Sequence, residues 1–530
     1  MMKERNRQIL RGIASLEPPT GGRESMRGLE TPVREMRRKV FEEVTRIAFH
    51  STPETLINDI ESVPYKLVTE DYDGYRESVY RSRSIVRERV RLAMGMSLRP
   101  ENRPSHLTAG IEESNIAEKY YEPPLMQVIP SACDCCEENK IEVSNQCKGC
   151  TAHPCKQVCP VGAITFHHGK VPHSEIDQEK CIKCGKCKQI CPYDAIVKKE
   201  RPCAKACGIN AITTDRLGRA FIDNEKCVSC GMCMVACPFG AISDKSQIFQ
   251  LGRALQSGHK VIAEIAPAFV SQFGDNITPR NIKAALHELG FFEVYEVALG
   301  ADIGAITEAH QYVEKVVTGE LPFLLTSCCP AWAVLTKKYF PDLVGSVSQE
   351  LTPMVATART IKRENPDAKV VFIGPCASKK LEASRRTVRS DVDFVITFEE
   401  LQAMFNALGI DLTKYEAVSS FHDATGAGRG YAAAGGVASA IEQCVHTYYP
   451  NVEVKIEHAE GLAECKKVLT LAKLGKKNGC LIEGMGCPGG CIAGAGTNLP
   501  IAKAQKALRE FVQHSTKAVP PKELEEIVLK

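Results

Sequence analysis

Tryptophan is almost missing from this chain: Trp332 is the only one, and aromatic residues make up 6% of the sequence. No run of about 18 apolar residues occurs, so no membrane span is expected. An excess of charge of one sign is also lacking. The 67 Lys and Arg against 64 Asp and Glu leave a formal net charge of +3, which argues against a dedicated nucleic-acid binder. The opening Met1-Met2-Lys3-Glu4-Arg5-Asn6-Arg7 is charged and leads into no apolar core, so no export leader is expected and the chain reads as cytoplasmic. A nucleotide fingerprint is lacking too. Gly426-Ala427-Gly428-Arg429-Gly430 does not complete G-x-G-x-x-G, follows no strand and reads as a turn. Gly484 to Gly489 matches by letter, but Cys487-Pro488 sits inside it and Pro-Gly-Gly-Cys follows where a helix should open.

Cysteine is what the chain has in abundance. Of 25, 17 lie between Cys133 and Cys237, largely in C-x-x-C spacings that point to metal binding in a reducing compartment rather than to disulfides. The endings Cys159-Pro160-Val161-Gly162-Ala163-Ile164, Cys191-Pro192-Tyr193-Asp194-Ala195-Ile196, Cys207-Gly208-Ile209-Asn210-Ala211-Ile212 and Cys237-Pro238-Phe239-Gly240-Ala241-Ile242 mark four half-ferredoxin repeats. The second and fourth have the full spacing C-x2-C-x2-C-x3-C-P, in which three close thiolates grip one cubane while the fourth crosses to its neighbour. The first, Cys147-x2-Cys150-x4-Cys155-x3-Cys159, is wider, and the third keeps only Cys203 and Cys207. Pairing halves as ferredoxins do gives three [4Fe-4S] sets: Cys147, Cys150, Cys155 with Cys191; Cys181, Cys184, Cys187 with Cys159; and Cys227, Cys230, Cys233 with Cys207. Cys203 and Cys237 remain. A fourth cluster on them needs two thiols from Cys133, Cys135 and Cys136, which the spacing permits without demanding. Zinc modules favour isolated C-x-x-C pairs, often with histidine, and fit these repeats less well.

Three further thiol sites lie downstream: Thr326-Ser327-Cys328-Cys329-Pro330-Ala331-Trp332; Gly374-Pro375-Cys376-Ala377-Ser378-Lys379-Lys380, after the strand-like Lys369 to Ile373; and Glu483-Gly484-Met485-Gly486-Cys487-Pro488-Gly489-Gly490-Cys491. Between them the loops can supply the four thiolates of a cubane, and Pro-Gly-Gly lets the backbone fold closely round a metal group. Around them, strand-like runs at Lys260 to Ile265, Val370 to Ile373, Phe394 to Phe398 and Cys480 to Glu483 alternate with helical stretches such as Pro279 to Leu289 and Thr307 to Thr318, an α/β pattern. Residues 1–125 form a cysteine-free helical region of unnamed role, with Thr31 as N-cap, Pro32 at the first turn and Val33, Met36, Val40 and Val44 on one face. The six arginines from Arg81 to Arg99 read as a solvated helix face. Pro123-Pro124 marks a boundary, giving a cluster domain over 126–250 and a catalytic domain over 251–530.

The three loops resemble the signature loops of [FeFe]-hydrogenases, T-S-C-C-P-x-W, M-P-C-x-x-K-x-x-E and E-x-M-x-C-P-G-G-C. With the repeats, the resemblance runs over roughly residues 130–510 and suits a monomeric type with an N-terminal multi-cluster region. It implies two mixed sheets with flanking helices, a metal site between them, and ferredoxin-like α+β repeats upstream. It also implies that Cys329, Cys376, Cys487 and Cys491 hold the [4Fe-4S] part of an H-cluster whose two-iron subsite carries CO, cyanide and a dithiolate amine, with Cys491 bridging. Lys379, Ala266, Pro267 and Met485 would contact that subsite, and Cys328, Glu308 and Ser348 would relay protons. The activity implied is 2H⁺ + 2e⁻ ⇌ H₂, with ferredoxin or a similar carrier as electron partner and maturation proteins building the subsite. Departures are Gln311 where a second carboxylate is common, Gly374 in place of methionine, Ala268 where a hydroxyl is frequent, and Gly494-Ala495-Gly496-Thr497 in place of an ending with Gln-Pro. The alternatives are a hydrogenase-like iron-sulfur assembly scaffold or a redox sensor, neither with a two-iron subsite. Retention of Cys328, Lys379 and Glu483-Gly484-Met485 argues against the scaffold, and no sensory domain is evident.

Overall fold

A computed structural model describes residues 26–70, 76–137, 139–417, 419, 421 and 424–524; the charged opening Met1 to Arg7 lies outside them. The C-terminal part is built on two sheets. In the first, strands run in the order Glu293–Glu296, Val261–Ile265, Lys369–Gly374, Phe394–Thr397; in the second, Leu324–Leu325, Cys480–Met485, Lys455–Glu460. Every described pairing in both is parallel, with Ile265 opposite Ile373 and Leu325 opposite Ile482. The α/β class is as expected. The sheets differ from the mixed arrangement that the resemblance implies because helical segments separate the strands, and such crossovers return the chain in the same direction. All five residues of Val261–Ile265 are buried, which explains the nearly unbroken apolar run.

The four strands expected from the sequence lie within two residues of their observed ends, and Phe398 opens a helix instead of closing a strand. Thr397 caps that helix, its Oγ1 accepting from the Glu400 N–H at 3.2 Å. Glu293–Glu296, Leu324–Leu325 and Lys455–Glu460 were not foreseen, being very short or rich in charge. The expected helix at Thr307 to Thr318 is the back half of one that begins at Ala298 and continues into a π-helical turn, Tyr312–Val317. Gly426–Gly430, expected as a turn, is a short buried helix capped by Thr425. Its glycines reflect crowding: a Cβ on Gly428 would lie 2.4 Å from the Ala298 carbonyl oxygen.

The repeats form antiparallel two-stranded ribbons, Lys140–Val143 with Ile196–Lys199, Ile164–His167 with His173–Ile176, and Ile212–Thr214 with Ala220–Ile222. Met126–Val128, just after Pro123-Pro124, pairs with Ile242–Asp244 at the end of the last repeat. Lys380 fastens this module to the C-terminal part, its Nζ lying 2.7 Å from Asp244 and 2.8 Å from Glu400, all three groups buried.

The N-terminal helices are part of the same core. Thr31 caps Pro32–His50 as expected, and Val40 and Val44 join one apolar cluster with Phe249, Leu251, Leu401 and Phe405. Arg37 Nε donates to Glu399 at 3.0 Å, and Arg34 Nε lies 3.7 Å from the same buried carboxylate. The arginines between 81 and 99 are not a solvated face. Arg89 and Arg91 are buried and, like Arg81 and Arg83, donate to backbone carbonyls, including those of Gly240, Leu107, Ser131 and Val68. A guanidinium with five donors can satisfy carbonyls that irregular backbone leaves open, a use invisible to charge counting.

Removing the anion that two arginines share should therefore be costly. Glu399→Ala is expected to lower stability by about 3–5 kcal/mol, and Glu399→Gln by less, as read from chemical-denaturation midpoints.

Candidate metal and active site

Four strands point their carboxyl ends at one region. Ile265 leads into Ala266-Pro267, Leu325 into Thr326 to Cys329, Gly374 into Pro375-Cys376 and Met485 into Gly486 to Cys491. Open parallel sheets bind ligands outside these ends, because there the connections fan apart. Trp332 fixes two of the loops against each other. It is fully buried and its Nε1 donates to the Thr326 carbonyl at 3.0 Å, while a Cβ on Gly484 would come within 2.0 Å of the indole. Gly490 adopts φ 85° and approaches Ala434 so closely that a Cβ would sit 2.3 Å from its nitrogen.

Cys329, Cys376, Cys487 and Cys491 come together as the sequence suggests. Burial, then the neighbouring thiols, raises Cys376 to about 11 and drives Cys487 and Cys491 up as well. Each sulfur-bearing residue is nevertheless only half-buried by surface area. The part of each that stays uncovered leaves the four thiols open to a group bonded to all of them. Two neighbouring thiols in the first loop face differently. The Gly486 N–H donates to Cys329 Sγ at 3.4 Å, whereas the charged group acting most on Cys328 is Glu308.

Glu308 is buried on the helix Ala298–Gln311, and burial raises it to about 7 despite hydrogen bonds from Ser348 and Ser327. The Ser327 N–H lies 3.2 Å from its Oε1. Gln311, one turn on, is buried, and its Oε1 has no hydrogen-bond partner. Lys379 Nζ is buried, 2.7 Å from Glu382 and 3.4 Å from the Cys328 carbonyl. Burial alone would lower this lysine; Glu382 and then Cys376 and Cys328 outweigh it and hold the ammonium charged. Ala266 and Pro267 sit at the strand end beside Gly374. The Phe372 ring takes the room beside Gly374, 2.6 Å from where a Cβ would stand, so the methionine of the resembling loops has no space here. Met485 is buried at the end of its strand.

The upstream thiols also group. Cys147, Cys150, Cys155 and Cys191 line one cavity, and Cys159, Cys181, Cys184 and Cys187 line another. Burial, then neighbouring thiols with Cys207 among them, raises Cys227, Cys230 and Cys233, with Cys230 reaching about 12 and also feeling Cys376. This last set abuts the active-site loops: the Ser378 hydroxyl donates to the Ser229 carbonyl at 2.9 Å, and Gly231 packs against Ala377 and Ala495. Among the described residues, no three His, Cys, Asp or Glu converge tightly enough for a single metal ion.

Residues 259–495 match the family described as iron only hydrogenase large subunit, C-terminal domain, and residues 174–197 and 220–243 match the 4Fe-4S binding domain. The C-terminal part is thus similar to a hydrogenase domain, and the repeats before it are similar to iron-sulfur binding domains. Iron hydrogenase 1 of Clostridium pasteurianum is 30% identical over 305 residues, 48% of this chain and 53% of that protein, so the chain spans about half the length of this relative. A cytosolic Fe-S cluster assembly factor of Kluyveromyces lactis is 36% identical over 102 residues, 19% of this chain and 22% of that protein. A solved [FeFe]-hydrogenase from Chlamydomonas reinhardtii is 23% identical, covers 51% of this chain and 89% of that one, and superposes with a TM-score of 0.43.

Three residues of the hydrogenase-like site went unnamed in the sequence reading. Glu382 was legible, standing at i+3 from Lys379 on one helix, the spacing of a side-chain ion pair. Tyr431 was not; its buried hydroxyl, unpaired, feels Glu308 and Cys328 only through the tertiary fold. Glu264 was hidden inside a strand. It is fully buried, neither carboxylate oxygen has a hydrogen-bond partner, and burial raises it well above 4.5 with Lys379 partly opposing.

Glu264 fixes a pH prediction. The folded chain keeps a proton here that the unfolded chain releases above about pH 4.3, so this residue's contribution to stability falls as pH rises through that value. Glu264→Gln should remove the dependence, giving a gain of about 1–3 kcal/mol at pH 8 that shrinks towards pH 5. Denaturation midpoints of the two proteins at both pH values check it.

Proposed function

We propose that this chain is an [FeFe]-hydrogenase catalysing 2H⁺ + 2e⁻ ⇌ H₂. The observation that carries the reading is the joint one. Four thiols from three loops lie close enough to act on one another, with a charged buried lysine and a fifth thiol beside them. When bound there, the cubane and two-iron subsite supply the redox chemistry. Cys329, Cys376, Cys487 and Cys491 would hold it. Lys379, kept charged and aimed by Glu382, would bond an anionic cyanide ligand, since an ammonium complements a buried anion; Ala266, Pro267 and Met485 would shape the walls.

Protons must reach the same place. Cys328 would pass a proton to and from the Glu308 carboxylate, which burial holds near neutrality, where a group can both give and accept. Ser327 and Ser348 would orient that carboxylate, and Ser348 would carry the path outward. Gln311 cannot exchange a proton readily, so the outer leg would run through water or another group.

Electrons would enter through the accessory clusters on Cys147, Cys150, Cys155, Cys191, on Cys159, Cys181, Cys184, Cys187, and on Cys207, Cys227, Cys230, Cys233, the last set next to Cys376. Ferredoxin or a similar small carrier in the cytoplasm would be the partner, and maturation proteins would install the two-iron subsite. No described helix is long and apolar enough to cross a membrane. An assembly scaffold is the second reading, favoured by the short assembly-factor match.

The two cysteines of the first loop separate these readings. In matured protein, Cys328→Ser should keep its iron yet lower hydrogen evolution by roughly 10²- to 10⁴-fold, since a hydroxyl is a far weaker acid than a thiol. Cys329→Ser should instead lose about four irons. If Cys328→Ser lost iron while Cys329→Ser kept both iron and turnover, the assignment would be reversed; absence of hydrogen evolution from the wild type would leave the scaffold reading.

A further inference from the structure

Two thiols of the cluster domain, Cys203 and Cys237, have no place in the three sets above. Their neighbours in space come from Cys133 to Cys136, far upstream and outside the matched 4Fe-4S segments. Cys203 repeats the position of Cys155. Both are buried, both follow a proline, and both sit second in a four-residue helix, Pro202–Lys205 and Pro154–Gln157. Cys237 repeats Cys159 and Cys207. In each case the N–H of the alanine four residues on donates to the sulfur, at 3.4 Å for Ala241 and 3.3 Å for Ala163 and Ala211. These are a third-position and a fourth-position ligand in the repeat, and a first and a second are wanting.

The turn at Cys133-Asp134-Cys135-Cys136 supplies them. In the three C-x2-C turns already assigned, the residue just before the second cysteine has positive φ: 57° at Gly149, 58° at Lys183 and 55° at Ser229. Cys135 has φ 49°, the same conformation at the same place, which non-glycine residues adopt rarely. That registers Cys133 and Cys136 as the pair and leaves Cys135 outside it. Cys135 is exposed, with its Sγ 3.6 Å from the Leu217 carbonyl. The Ala220 N–H donates to Cys133 Sγ at 3.4 Å, Cys133 packs in one apolar group with Cys203 and in another with Cys237, and Cys136 feels both Cys237 and Cys133. Arg201 ties the turn down, donating to the Cys136 carbonyl at 3.0 Å and to the Gly218 carbonyl at 2.9 Å.

We propose that Cys133, Cys136, Cys203 and Cys237 bind a fourth accessory [4Fe-4S] cluster. Its place is between the two halves of the cluster domain. Cys136 leads to the strand Lys140–Val143 of the outer half, and Cys203 follows that strand's partner, Ile196–Lys199, while Cys203 also acts on Cys233 of the set nearest the active site. The cluster thus gives electrons a step between the outer pair and the inner one. The proposal rests on the accessory-cluster reading and not on the two-iron subsite.

Iron counting on the full chain, produced without maturation proteins and reconstituted anaerobically, tests it. Five cubanes give about 20 irons per chain, against about 16 for four. The wild type should reach the higher figure. The double variant Cys133→Ser/Cys136→Ser should fall by about four irons and lose one reduced-cluster spin system by EPR, while Cys135→Ser should match the wild type. A wild-type count at or below about 16, or full iron in the double variant, or loss of a cluster in Cys135→Ser, would overturn it. Infrared signals of the two-iron subsite do not enter the count, so failure here and failure of the hydrogenase reading are told apart.

Discussion

The contact of Trp332 with Gly484 is the constraint on which the site depends. The helix that follows the first loop can press against the strand Cys480–Met485 only because that strand has no side chain under the indole. This brings Cys329 to the start of the third loop, where the Gly486 N–H meets its sulfur. The strand in turn sits between Leu324–Leu325 and Lys455–Glu460, so the register of a small parallel sheet sets the spacing of thiols that are more than 150 residues apart in sequence. Close packing makes such a position stiff, and a displacement at the tryptophan would reach the first and third loops together.

Charge is the second constraint. Cys328, Cys376, Cys487 and Cys491 are gathered with Glu308, Glu483 and Glu264 in a buried region, and burial drives each of them towards its neutral form. Ionised thiols crowded in this way are tolerable only with a cationic counterpart, which iron would provide. The protein adds little positive charge of its own. Lys379 is one contribution and Arg27 is another, buried near Cys487 and Cys230 and so between the active-site thiols and the nearest accessory set. Arg27 belongs to the N-terminal region, which thereby acquires a physical role beyond covering the sheet. Because helix Pro32–His50 shares its core with the catalytic sheet, a truncation beginning near Lys245 would expose that core rather than release an independent catalytic unit.

The chemistry was far more legible in the sequence than the architecture. Cysteine spacing paired Cys147, Cys150 and Cys155 with Cys191 across 40 residues because a repeat carries its own ruler, and the cavities follow that pairing. The loop cysteines and Lys379 were equally readable, since short motifs concentrate chemistry in consecutive residues. What escaped notice is set by tertiary contact alone. Nothing local tells that Arg81, Arg83, Arg89 and Arg91 donate to backbone carbonyls, that Gly426–Gly430 coils under Ala298, or that Tyr431 and Glu264 approach the site. The choice between Cys135 and Cys136 lay between these extremes: spacing leaves it open, and the proposed pair rests on a backbone angle that spacing does not reveal.

The central claim is that the interior between the three loops holds a two-iron unit with CO and cyanide next to Lys379. Infrared spectroscopy of the anaerobically matured protein addresses it most directly, because metal-bound CO and cyanide absorb where protein does not. The account predicts both sets of bands, with the cyanide bands shifting in Lys379→Ala. A matured protein with its cubanes in place but no such bands would contradict it.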